Sequence, residues 1–202
     1  MSGCKVDYEA KASCELVKAG SPEPAQLNLK GKFVVEHWRN GRRINEYHFP
    51  NGVTNQGKNQ ILNANFYSGT QIAAWYLGLI SSAGYVALAA TDTYQDIGGA
   101  GDGWAEFTGY TDGNNGNNAT TRPAWGAGAA SGQATTNATA AVFNVTAPGT
   151  IKGVFQVGGI VAAQTKNDHA ANGILWSTAL FTSGDVTVAN GDQLKITYTV
   201  SA

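Results

Sequence analysis

The sequence predicts an all-β fold, a β-sandwich of jelly-roll or Greek-key type with one short helix and an extended N-terminal arm. Three observations carry that reading. Segments of seven to ten residues, rich in Val, Ile, Thr, Tyr, Phe and Trp, alternate in polarity or run apolar throughout. Clusters of Gly, Asn and Asp separate them at intervals of about 8–20 residues, the spacing of a sandwich rather than of β-α-β units. Only one stretch after the leading segment has helical periodicity, and no internal repeat of fixed period is present.

Residues 1–30 form the expected arm and residues 31–202 the β-domain. The arm mixes charged residues with Ala and Ser and ends in "SPEPAQ", where Pro22 and Pro24 favour extended backbone. Its "YEAKASCELVKA" can form a short amphipathic helix with Leu16 and Val17 on one side. Its apolar surface is too small to fold alone, so ordering against a partner is expected. Fully extended, 30 residues reach about 100 Å.

The clearest hairpin follows: "KFVVEHW" and "RINEYHF", joined by "RNGR", with Asn40-Gly41 supplying the positive φ values of a type I′ turn. In "PNGVTNQGKNQILNANF" Thr54 stands as an N-cap ahead of Ile61, Leu62, Asn65 and Phe66 at helical spacing. That helix is expected to plug an open end of the sandwich with Ile61, Leu62 and Phe66, while Asn55, Asn59, Asn63 and Asn65 face outward or cap neighbouring strands. "IAAWYLGLI" is apolar throughout, as in a strand covered on both faces. "YVALAATDTY" reads as strand then turn, "GGAGDG" as loop and "WAEFTGY" as an alternating strand. "TDGNNGNNATTRPAW" is a polar loop, and "QATTNATAAVFNVT", "TIKGVFQVGGIV", "ILWSTALF" and "QLKITYTV" complete the strands, with Asn190-Gly191 as a second hairpin signal.

Composition narrows the function. About 170 residues of folded chain bury enough surface to need no covalent staple. Charged residues are 13% of the chain, about half the usual share, and Gly accounts for 26 positions. Such a surface suits contact with other protein more than with water. The net charge of −1 hides a gradient, with nine Lys/Arg against six Asp/Glu in residues 1–60 and four against eight thereafter. Neither half carries the basic stripe of a nucleic-acid binder, so none is expected. Arg39, Arg42 and Arg43 flank the first turn and are read as solvated or as a protein–protein contact in preference to a phosphate site. Cys4 and Cys14 lack zinc-site spacing and partners; a disulfide between them would staple only the leading segment, and reduced, inert thiols of a protein made in a cytosol are the preferred reading. No apolar run approaches the ~20 residues of a membrane span, and the leading residues lack the apolar core of a signal peptide.

No motif carries an evident chemistry. HExxH, GxSxG, CxxC and Walker patterns are absent, and "GGAGDG" fails the dinucleotide fingerprint because Trp104 stands at the last Gly position. His37 and His48 lie on the two hairpin strands but out of cross-strand register, and no metal pair is expected there. Asp96, Asp102 and Glu106 cluster around one loop, the raw material of a glycosidase pair, but are read as solvated. "DGNNGNN" from Asp112 breaks the calcium-loop pattern at Gly116 and Pro123. Asn118, Asn137 and Asn144 each begin a glycosylation sequon, as expected by chance in a chain so rich in Asn and Thr. Among aromatics able to stack on sugars, Trp75, Tyr76 and Trp104 are read as core and Trp125 as exposed.

The order of "NGVTNQGKNQILNANF", "TQIAAWYLGLI", "GYVALAATDTYQD", "GWAEFTGYT", "TRPAWGAGAAS", "TIKGVFQVGG", "GILWSTALF" and "VANGDQLKITYTV" resembles a family of tailed-bacteriophage and prophage structural proteins over residues 31–202. Residues 1–30 and the Asn-rich insertion at 112–118 fall outside the likeness. It implies a virion component made in the host cytoplasm: a capsid decoration (cement) protein on the outer surface of the head, or alternatively a tail or fibre part with glycan-binding loops. The implied partner is the major capsid protein, and a homo-oligomer is expected, a trimer first and a dimer next. No enzyme activity, cofactor, metal, nucleic acid or membrane is expected. The candidate partner-binding residues are Val6, Tyr8, Leu16 and Val17 in the arm, Arg39, Arg42 and Arg43 at the turn, and Trp125.

Overall fold

A computed structural model describes residues 29–98 and 103–202. In chain order its elements are β1 (Lys30–Arg39), β2 (Arg42–Pro50), β3 (Gly52–Val53), α1 (Asn55–Phe66), β4 (Trp75–Ser81), β5 (Tyr110–Asp112), β6 (Ala134–Thr136), β7 (Ala141–Val145), β8 (Gly149–Gly158), β9 (Ile174–Leu180), β10 (Val186–Val188) and β11 (Gln193–Ser201). They form two antiparallel sheets. The six-stranded one runs β2-β1-β11-β7-β5 with β6 also on β11, and the five-stranded one runs β10-β8-β9-β3 with β4 on the other side of β8. Neighbours are mostly non-consecutive in sequence, so the chain crosses between sheets, as the expected sandwich requires.

The inner faces meet in one core that includes Phe33, Val35, Leu77, Phe143, Val154 and Ile196. A second, smaller core lies on the outer face of the five-stranded sheet, where Ile80, Phe155, Val157 and Leu175 pack against Tyr94, Ile97 and Trp104 from the covering loops. That is why "WYLGLI" is apolar on both faces. The strand starts at Trp75, so the preceding Ile72-Ala-Ala lies outside it.

The Asn40-Gly41 turn has the expected form, with φ of 50° and 73°. Asn190-Gly191 does not make a hairpin. Only Gly191 takes positive φ, at 88°, and the turn carries the chain from β10 in one sheet to β11 in the other. "YVALAATDTY" is not a strand. Asp92 and Asp96 accept main-chain N–H groups of Ala89 and Thr93, a local alternative to a ladder, and the run ends in a short turn of 3-10 helix, Tyr94–Ile97. "WAEFTGY" bridges only at Ala105 and Glu106, covering the outer edge of β4 before β5 begins at Tyr110.

"QATTNATAAVFNVT" breaks into β6 and β7, which lie end to end along β11. Asn137 fills the break. Its side-chain oxygen accepts from Tyr198 N–H at 2.8 Å and its amide donates to the Ile196 carbonyl at 3.0 Å, so it stands in for a peptide unit of the missing ladder. The Asn137 sequon is therefore buried. Asn137→Ala is expected to cost about 2 kcal/mol, the price of two buried main-chain groups left unpaired. Urea denaturation measures this, and an unchanged midpoint refutes the bridging role.

Thr54 caps α1 as expected, its hydroxyl oxygen accepting from Gly57 N–H at 3.0 Å. Asn55, Asn59, Asn63 and Asn65 face outward as anticipated. The plug does not form as expected: Ile61 packs on the core, but Leu62 is 54% and Phe66 81% exposed. Gly57 explains the placement. It seats α1 directly on β9, where a β-carbon would stand 2.5 Å from the Trp176 carbonyl oxygen. Gly57→Ala raises intrinsic helix propensity by about 1 kcal/mol, yet a net destabilisation of about 1–3 kcal/mol is expected from the clash. A thermal midpoint above that of the parent protein would overturn this account.

Candidate partner-binding surface

The charged groups resolve into internal clamps and an outward-facing strand. Glu106, expected to be solvated, is buried with Arg122, and both side chains are fully excluded from solvent. Arg122 donates to the carboxylate through Nε at 3.0 Å and Nη2 at 2.8 Å, and to the carbonyls of Ala163 and Asp168 at 2.8 and 3.1 Å. Glu106 also accepts from the Tyr110 hydroxyl at 2.9 Å and from Asn167 N–H at 2.6 Å. Arg122 lies over the rings of Phe155 and Tyr94. Burial penalises its charge, but Glu106 more than offsets this and holds its pKa above the ordinary value. Burial, reinforced by the Glu106 charge, pushes the Tyr110 phenol well above its usual range. The pair locks the covering loops to each other.

Glu106 is thus spent on structure, and Asp96 caps the turn at Thr93. Asp102 lies outside the described residues. Asp112 is also buried and accepts from Asn114 N–H and the Thr121 hydroxyl, holding its own loop closed. Among the described residues no group of three His, Cys, Asp or Glu stands close enough to hold a metal ion.

The turn arginines part company. Arg39 donates to both Asp192 oxygens at 2.7 Å, and His37 Nε2 stands 2.8 Å from the same carboxylate. Ala189 N–H adds a fourth hydrogen bond at 2.8 Å. This clamp ties the β1–β2 hairpin to the β10–β11 turn, so Arg39 is a structural tether more than the free contact expected. The Arg39 guanidinium hydrogen bonds, helped by Ala189 and His37, hold the Asp192 carboxyl well below the usual carboxylate range. Arg43 pairs with Glu36 and Glu46, His48 stands 2.6 Å from Glu46, and Arg42 is exposed. The His48 hydrogen bond, more than any other contact, lowers the Glu46 pKa. These side chains, with Trp38 under the Lys195 ammonium, decorate the outer face of the hairpin.

Trp125 is a correction. It is only 8% exposed, and its indole N–H donates to the Tyr198 carbonyl at 3.0 Å. Trp125 N–H bonds the Trp75 carbonyl, which draws the segment along β4 and turns the ring inward. Tyr110 and Trp104 are buried too. Val6, Tyr8, Leu16, Val17, Cys4 and Cys14 lie outside the described residues.

Among the described residues, what remains open is the edge of β2. The outer edge of β4 is occupied by main-chain bonds to Ala105, Phe107, Pro123 and Trp125. β3, β5, β6 and β10 are only two or three residues long. Among the described residues β2 is nine residues long, pairs with β1 alone, and is exposed over most of its length. Arg42, Arg43 and Glu46, with the bulge opposite at His37/Trp38, are the charges and distortion that keep such an edge from indiscriminate pairing.

Compared with protein-family models, curated proteins and solved structures, the chain matches none.

Proposed function

We propose that the chain is a bacteriophage virion structural protein, a capsid decoration protein that binds the outside of the assembled head and reinforces it, with the major capsid protein as its partner. The long uncovered β2 edge is the observation that best supports this reading. A rigid sandwich that keeps one nine-residue edge open, and guards it with charge, is built to accept a strand from another chain. The buried Glu106–Arg122 pair supports a mechanical role for the body. An arm and an edge acting together multiply affinity through effective concentration. The alternative, a tail or fibre part that binds glycans, loses the aromatic ring it most relied on with the burial of Trp125.

The test is addition of purified protein to undecorated heads. Binding in a fixed copy number is expected, and removal of residues 2–28 should weaken it about 100-fold. Heads left bare at saturating protein while tails bind would overturn the reading.

A further inference from the structure

α1 presents two unlike faces. Gly57 is buried, and Gln60, Ile61 and Ala64 are half-buried on the same side, so this face lies on the body. Lys58, Leu62 and Phe66 recur at i, i+4 and i+8, in one row along the opposite side. Phe66 and, just past the helix, Tyr67 are 81% and 76% exposed. Among the described residues Lys58 forms no ion pair, and it is the single charged residue of the helix.

We propose that this face pairs with α1 of a second copy of the chain, antiparallel about a two-fold axis beside Leu62. The row is symmetric about Leu62, with a cation four residues before it and an aromatic ring four residues after. An antiparallel two-fold therefore places Leu62 on Leu62 and each Lys58 ammonium over the Phe66 ring of the other copy, a cation–π contact made twice. The complementarity is of the surface with itself, which marks a second copy as the occupant. With no acidic residue in the helix, a basic partner finds no counter-charge on this face, and an acidic one finds only the single Lys58. Phe66, Tyr67 and Leu62 expose on the order of 400 Å² per copy. With the surrounding Asn and Lys stems, the contact reaches about 1,000 Å² in total, the lower bound for a specific interface. A contact of that size is expected to be weak and concentration-dependent. The inference is independent of which partner the β2 edge binds.

The experiment is sedimentation equilibrium of the full chain at about 50 μM. The parent protein is expected at twice the 21.0 kDa chain mass. Phe66→Lys, at an exposed position that leaves the fold intact by circular dichroism, is expected to run as a monomer, because Lys58 then faces a second lysine. The double variant Lys58→Glu, Phe66→Lys is expected to recover about tenfold of the lost affinity through two new cross-copy pairs, a rescue that residues i and i+8 of one helix cannot supply internally. A monomeric or trimeric parent, a dimeric Phe66→Lys variant, or a double variant no tighter than the single one would each overturn the proposal.

Discussion

Replacing Arg122 with methionine is expected to destabilise the protein by about 3–5 kcal/mol, the largest effect of any single side-chain truncation outside the apolar cores. The reason is asymmetry. The intact pair loses much of its attraction to the desolvation that both ions suffer, but the variant strands the Glu106 carboxylate, still desolvated and without its partner, in a site with no solvent access. It also leaves the Ala163 and Asp168 carbonyls short of their donor. The loss appears as a lower urea midpoint. Replacing both partners, Arg122→Met with Glu106→Leu, should recover most of it, since a buried ion pair is replaceable by apolar groups of similar volume. Equal losses in the single and double variants would show that the carboxylate is not the source of the cost. The small core under the covering loops should be where the single variant opens first, and hydrogen exchange at Tyr94–Ile97 reads that directly.

The second large effect belongs to Asp192. Asp192→Ala leaves buried His37 and the Ala189 N–H without their acceptor and unties the hairpin from the β10–β11 turn. A cost on the order of 2 kcal/mol is expected from those buried groups. The same carboxylate sets a pH dependence. In the unfolded chain it takes up a proton near pH 3.9. In the folded protein it holds out to lower pH because Arg39, Ala189 and His37 donate to it. Below about pH 4 the unfolded state therefore binds more protons, and stability falls as the pH drops further, having been fully present above that value. Urea midpoints taken from pH 5 down to pH 2 should show the decline in the parent protein and a shallower one in Asp192→Ala. Parallel curves would assign the acid sensitivity to other groups.

Both clamps were out of reach of sequence reasoning for the same reason. His37 and Asp192 are 155 residues apart, Glu106 reads as a solvated carboxylate on an alternating strand, and Arg122 lies in a segment that reads as polar loop. One signal was present and went unused: in a chain with so few charges, a lone arginine beside apolar and aromatic residues is as easily a buried partner as a surface one. Trp125 misled in the opposite direction, since a tryptophan in a Pro/Gly-rich stretch looks exposed until the main-chain bond to Trp75 turns it inward.

By itself the sequence determined the local features: the Asn40-Gly41 hairpin, the Thr54 cap, the outward asparagines of α1, and the period-two and apolar runs that make a two-sheet body. These depend on φ/ψ preference and on side-chain alternation over a few residues, which neighbouring positions specify. The tertiary structure alone decided which apolar residues stay exposed, which carboxylates are buried, where Asn137 replaces a peptide unit, and which strand edge remains open. Each of those is a matter of what the rest of the chain places against a segment, and burial and unpaired main-chain groups are properties of the whole packing, not of any window within it.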